Sequence, residues 1–179
     1  MQVAPRELED LLLYQIGALA GIARAAGVAL RHVKPHGALY NMAVRDRRLA
    51  DAIARAVAAF DSSLVLFGLA GSIMLDAGRD AGLAVAAEGF ADRMYEPDGS
   101  LTPRSRAGAV LHDSSAIAAR AVHMVRHRTV TASDGSQVPL EIDTICVHGD
   151  TPGADVSARE LKRALTQAGI TIRAVGAQS

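Results

Sequence analysis

Four short stretches hold the residue types able to do chemistry. Lys34-Pro35-His36-Gly37 sets a cation and an imidazole around a ring-locked residue and a glycine. Gly68-Leu69-Ala70-Gly71-Ser72 is a glycine-rich turn, and Glu88 stands just ahead of Phe90-Ala91-Asp92-Arg93-Met94-Tyr95. His148-Gly149-Asp150-Thr151 brings an imidazole and a carboxylate together. A histidine can move protons or ligate a metal near neutral pH, and a lysine or arginine can offset the charge of a carboxylate or phosphate. Glycines opening a helix suit an anion, although no Walker A loop occurs. Each piece also has a structural reading. Lys34 can be an exposed loop cation, His36 a cap on the helix after it, and Asp150 a turn or N-cap residue. Asp92 and Arg93 can be a local surface pair of little energetic consequence.

What ties the four stretches together is their place in the pattern of elements. Leu8, Leu12, Ile16, Leu19 and Ala23 recur at helical spacing and Gly27 stands as a C-cap, so the chain opens with a helix. Apolar residues at Leu11, Leu13, Tyr14 and Ile22 widen its face, which predicts cover on more than one side. Strands are then expected over 29–33, 64–67, 83–87, 144–147 and 170–175. Helices fall between them over about 49–59, 72–79, 113–127 and 157–168. Ser157 and Glu160 read as a capping box for the last helix. A hairpin turning at Asp134-Gly135 is inserted before the fourth strand. Strands alternating with helices pair in parallel through right-handed crossovers, and each polar stretch follows the end of one of the first four strands. In such folds the loops after the strands carry the site. Pro35 then stops a ladder because it has no N–H to donate.

The connection from Gly89 to His112 is about 24 residues, where most run about 4–6. Its arginines (Arg93, Arg104 and Arg106) suit a substrate lid or phosphate clamp; otherwise it is a surface excursion or a contact between protomers. The chain has 179 residues, which predicts a single domain over 1–179. Only 3% of residues are aromatic, so the core is aliphatic. Lys plus Arg and Asp plus Glu both number 19, leaving no net charge to attract nucleic acid or an anionic membrane. The one cysteine, Cys146, lies in an apolar run and reads as a buried thiol. No stretch has the ~20 apolar residues of a membrane span, and the first residues lack signal-peptide features, so a cytoplasmic protein is expected.

The stretches VKPHGALYN (33–41), GLAGS (68–72), FADRMYEPDGSLTPRSRAGAVLHD (90–113) and DTICVHGDTPGA (143–154) resemble the LamB/YcsF family along essentially the whole chain. The resemblance implies a (β/α) barrel of the glycoside hydrolase/deacetylase type, seven-stranded in the family. Here it would be incomplete, with about five parallel strands. It implies ATP-driven opening of the 5-oxoproline lactam to glutamate by a 5-oxoprolinase, together with partner subunits B and C. Carried over by position, it implicates His36, Lys34, Asp92, His148 and Asp150 in catalysis. Gly37, Tyr40, Asn41, Arg93, Tyr95, Arg104 and Gly149 are implicated in binding substrate or nucleotide. ATP enters as a co-substrate, and a divalent metal is left open. The family's DLNCDLGE-like, CGFHAGD-like and HPGYPD-like segments do not occur, so the chain corresponds to the C-terminal two-thirds to three-quarters of the barrel. A homo-oligomer is expected to cover the sheet edge and helix face so exposed. The alternatives are a deacetylase-like or other carbohydrate-directed hydrolase, and a non-catalytic binding remnant.

Overall fold

The computed structural model describes residues 3–149 and 153–175. The fold is α/β, and among the described residues its main sheet holds four parallel strands, in the order β1 (His32–Val33), β2 (Val65–Leu69), β3 (Val85–Phe90), β6 (Thr144–Cys146). The chain forms two compact units, one running through Ala87 and the other beginning at Glu88.

In the first unit, helix α1 (Pro5–Ala25) starts with proline, whose missing N–H costs nothing there. It buries Leu8, Leu12 and Ile16, and Glu9 accepts from Arg55 at 2.6 Å. Strand β1 (His32–Val33) pairs in parallel with β2 (Val65–Leu69), with His32 opposite Val65. Between them lie α2 (Gly37–Ala43) and α3 (Arg47–Phe60). The Asp46 carboxylate caps α3 by accepting from the Arg48 and Leu49 amides. Ala50, Ile53, Ala54 and Val57 of α3 are buried at helical spacing. All five residues of β2 are buried, as expected of a strand covered on both faces. Helix α4 (Ile73–Asp80) leads to β3 (Val85–Phe90), where the Leu66 amide bonds the Ala84 carbonyl. Gly78 lets α4 lie close on the strands: a Cβ there would sit 2.7 Å from Val85 Cγ1.

In the second unit, the end of β3 pairs in parallel with β6 (Thr144–Cys146), Glu88 opposite Thr144 and Phe90 opposite Cys146. Helix α5 (Ser114–His127) is capped by Asp113. The antiparallel pair β4 (Thr129–Thr131) and β5 (Gln137–Pro139) forms the expected hairpin. Its turn is held by the Ser136 amide on Asp134. Helix α6 (Ala154–Gln167) packs on α5. No helix among the described residues is long and apolar enough to cross a membrane.

Three expectations are corrected. The last helix begins at Ala154, a turn earlier than the Ser157–Glu160 box predicts. Gly153 opens it in a left-handed conformation, Ser157 donates its amide to the Gly153 carbonyl, and Glu160 pairs with Arg163. Residues 170–175 form no strand, so among the described residues four parallel strands stand where about five are expected. The Ile170 amide is spent closing α6 on the Leu165 carbonyl, and Arg126 of α5 holds the Ala168 carbonyl at 2.7 Å. Cys146 is only half-buried, because β6 ends the order of the sheet.

Candidate active site

In the first unit, Lys34 follows β1, with its ammonium 5.9 Å from the centre of the Tyr40 ring. Pro35 is buried and ends the strand. His36 is the N-cap of α2, but its side chain makes no capping bond and is exposed. Gly37 has φ +62°, a backbone conformation that a side chain would strain. Tyr40 is buried, while Asn41 is exposed and donates to the Gly37 carbonyl at 3.0 Å. In the glycine-rich turn, Gly71 has φ +75°, and the buried Ser72 hydroxyl has no hydrogen-bond partner among the described residues.

The second unit has the denser arrangement. Asp92 follows β3, and His148 stands two residues beyond the end of β6. His148 Nδ1 lies 2.6 Å from Asp92 Oδ2. The two side chains are only 14% and 7% exposed. The carboxylate's other oxygen, Oδ1, is buried with no partner among the described residues. The Phe90 ring lies against the imidazole, 5.7 Å between centroids at 27°. The Asp92 carbonyl accepts from the Leu111 amide at 2.8 Å, tying the long connection down beside the site. An ionised carboxylate only accepts, so Nδ1–H donates to Asp92 and Nε2 is left to take or give a proton. That is the geometry of a carboxylate-oriented acid–base imidazole.

The neighbours of this pair are buried and mostly bound to backbone. Arg93 is 5% exposed; its Nη2 donates to the Thr102 carbonyl at 2.6 Å and its Nε to the Ala109 carbonyl at 3.3 Å. Burial, and then the nearby charge of Arg104, hold its pKa below the usual guanidinium value. The surface-pair reading of Asp92 with Arg93 is therefore overturned: both are buried, Asp92 pairs with His148, and Arg93 clamps the connection. Tyr95 is fully buried, and its hydroxyl oxygen accepts from the Phe90 amide at 2.8 Å. Burial pushes that phenol far above its ordinary pKa. Glu88 is also buried at 3% exposure, whereas Arg104 and Gly149 are exposed. Asp150 lies outside the described residues.

Two members of this cluster are missing from the expected site. Phe90 stands within the FADRMY stretch, and only its register beside His148 reveals a role. Arg120 lies on α5 among Ile117, Ala118, Ala121 and Met124, and a cation on an apolar helix stripe is the signal that marks it. Its Nη1 donates to Met94 Sδ at 3.2 Å and its Nη2 to the Thr131 carbonyl at 3.3 Å; burial lowers its pKa. Among the described residues no three His, Cys, Asp or Glu side chains converge to hold a metal ion. A cavity of about 450 Å³ beside β6, lined by Ile145, Leu161 and Leu165 among others, contains none of the expected site residues.

Parallel strands, connecting helices and an oriented imidazole after β6 define an α/β protein with a parallel sheet and polar residues at its strand ends. The sequence comparisons narrow this. All of residues 1–179 match the model of the LamB/YcsF family. A protein of Methylococcus capsulatus, named as the A subunit of 5-oxoprolinase, is 54% identical over 176 residues, covering 98% of this chain and 68% of the relative. One of the same name from Chloroflexus aggregans is 56% identical over 173 residues, covering 97% and 69%. The crystal structure of a lactam utilization protein from Thermus thermophilus superposes with a TM-score of 0.89 at 46% identity, covering 97% of this chain and 69% of that one. The chain belongs to the LamB/YcsF family, and its four-stranded parallel sheet is that of an incomplete (β/α) barrel.

Proposed function

We propose that the chain is a hydrolase component that opens a cyclic amide, acting as the A subunit of a cytoplasmic, ATP-dependent 5-oxoprolinase with partner subunits B and C. The observation that carries this reading is the Asp92–His148 pair, in a chain 54% identical to a protein named as the A subunit of that enzyme. A lactam resists water because its nitrogen lone pair is delocalised onto the carbonyl. ATP, as co-substrate, phosphorylates the carbonyl oxygen and leaves as ADP. His148 Nε2 then takes a proton from the attacking water, the ring C–N bond breaks, and the same nitrogen returns a proton to the departing amine; a second water releases the phosphoryl group left on the new carboxyl as inorganic phosphate. Asp92 holds the imidazole tautomer and offsets the charge formed on it. Arg104 and Lys34 are proposed to counter carboxylate or phosphate charge. His36, Gly37, Tyr40 and Asn41, with Gly149 and Asp150, are proposed as further contacts to substrate or nucleotide. We further propose that the chain self-associates.

The test is reconstitution with subunits B and C, ATP and 5-oxoproline, following glutamate formed per ATP consumed. The wild-type chain turns over, and His148→Ala and Asp92→Asn each lose roughly 10²–10⁴ in kcat, the usual worth of a positioned acid–base group. Absence of glutamate with the wild-type chain, or full activity in His148→Ala, overturns the reading.

A further inference from the structure

Tyr95 stands in a motif that the family resemblance assigns to binding, yet its surroundings give it a different task. The ring has no exposed surface. Its backbone is pinned by bridges to Leu101 and Ala132 and by the Ser133 amide, which donates to the Tyr95 carbonyl at 2.7 Å. The Arg120 guanidinium sits 5.9 Å from the ring centroid and is itself fastened to Met94 and Thr131. So held, the phenol oxygen accepts the Phe90 amide, 2.8 Å away. Phe90 is the last residue of β3, where the ladder to β6 stops, and its ring is the wall on which the His148 imidazole rests.

We infer that Tyr95 is a positioning residue for His148: through its hydroxyl it fixes the Phe90 backbone, and so the ring that sets the imidazole's plane against Asp92. A fully enclosed hydroxyl already engaged with a main-chain amide is badly placed to touch a ligand. Misplacement of a catalytic group by about 1 Å costs up to roughly 100-fold in rate, which makes such a support consequential. The inference rests on the proposed function only for the claim that His148 is catalytic; the mechanical part stands on the contacts alone.

The experiment uses Tyr95→Phe in the full chain, which keeps the ring and removes only the oxygen, with Phe90→Leu as a second variant that removes the wall. Two quantities are read: the pH titration of the His148 ring signals by NMR, and kcat and KM in the complex with subunits B and C. Both variants are expected to shift the His148 titration and to lower kcat about ten-fold, with KM little changed. Unchanged ring signals with unchanged kcat in Tyr95→Phe overturn the inference, and so does a raised KM at constant kcat, which marks a substrate contact. If Tyr95→Phe does not fold, Phe90→Leu decides by the same readings. A wild-type chain inactive with its partners refutes the functional proposal, while the His148 signals still judge Tyr95.

Discussion

The same substitution in two helices of the first unit should act with opposite sign. Gly21 of α1 and Gly78 of α4 are both helix-interior glycines, and neither has a positive φ. Replacing such a glycine with alanine gains about 1 kcal/mol of helix propensity. At Gly21 a new Cβ meets nothing within 4 Å, so Gly21→Ala keeps that whole gain. At Gly78 the new Cβ lies 2.7 Å from Val85 Cγ1 and 3.1 Å from Leu66 Cδ2. Valine is stiff at χ1 and Leu66 has no exposed surface, so neither neighbour has an easy retreat. Overpacking of this kind costs about 1–3 kcal/mol. Subtracting the propensity gain leaves Gly78→Ala about 0–2 kcal/mol less stable than wild type, against a gain of about 1 kcal/mol for Gly21→Ala. Urea unfolding followed by circular dichroism measures both, at protein concentrations where the midpoint does not depend on concentration. Equal m-values are required for the comparison. A Gly78→Ala protein as stable as Gly21→Ala would show that α4 does not lie as close to the strands as described.

Two further predictions concern the helix surfaces. On α1, Leu11, Tyr14, Leu19 and Ile22 are 44%, 75%, 57% and 70% exposed, with Glu7 and Asp10 near one end of the helix and Arg24 at the other. A second copy packed on this stripe would bury it, so sedimentation at micromolar concentration should show a dimer that Ile22→Glu converts to monomer; a wild-type monomer throughout that range refutes it. At the start of α5, the Ser115 hydroxyl and then the Ser115 amide hold the Asp113 carboxyl below its ordinary pKa. A depressed folded-state pKa stabilises above the unfolded value of about 4 and is lost as pH falls through the folded value. The stability gap between wild type and Asp113→Asn should therefore close on acidification below about pH 4, and a gap independent of pH counts against the cap.

The alternation of apolar runs with helical stripes is enough to read the α/β class, because β2 and α3 are patterned by burial alone. The Asp134-Gly135 turn is equally legible, since its chemistry is local. What stays hidden in the sequence depends on partners remote along the chain. Ser157 and Glu160 have the spacing of a capping box, but Gly153 offers an earlier start, and a helix takes the start that satisfies more of its amides. Residues 170–175 have a strand's composition, yet a strand needs a ladder, and these residues follow a helix end anchored to α5. Asp92 and Arg93 are adjacent in sequence and invite pairing. Their side chains nevertheless part, to His148 on one side and to the Thr102 and Ala109 carbonyls on the other.

The state of Asp92 bears on whether its pairing with His148 serves structure or chemistry. A purely structural bond is best made by groups whose hydrogen-bonding capacity is fully used, because a buried acceptor left unmade costs about 1–3 kcal/mol. Asp92 Oδ2 is engaged by His148, while Oδ1 is enclosed and has no donor among the described residues. Arg93, the adjacent cation, could satisfy it but is committed to two carbonyls instead. A substrate or water that donates to Oδ1 would remove the penalty on arrival and so bind there with an advantage. His148 Nε2, on the imidazole that the same carboxylate orients, is then available for proton transfer. His148→Ala and Asp92→Asn in the reconstituted complex test directly whether the pair is kept for chemistry.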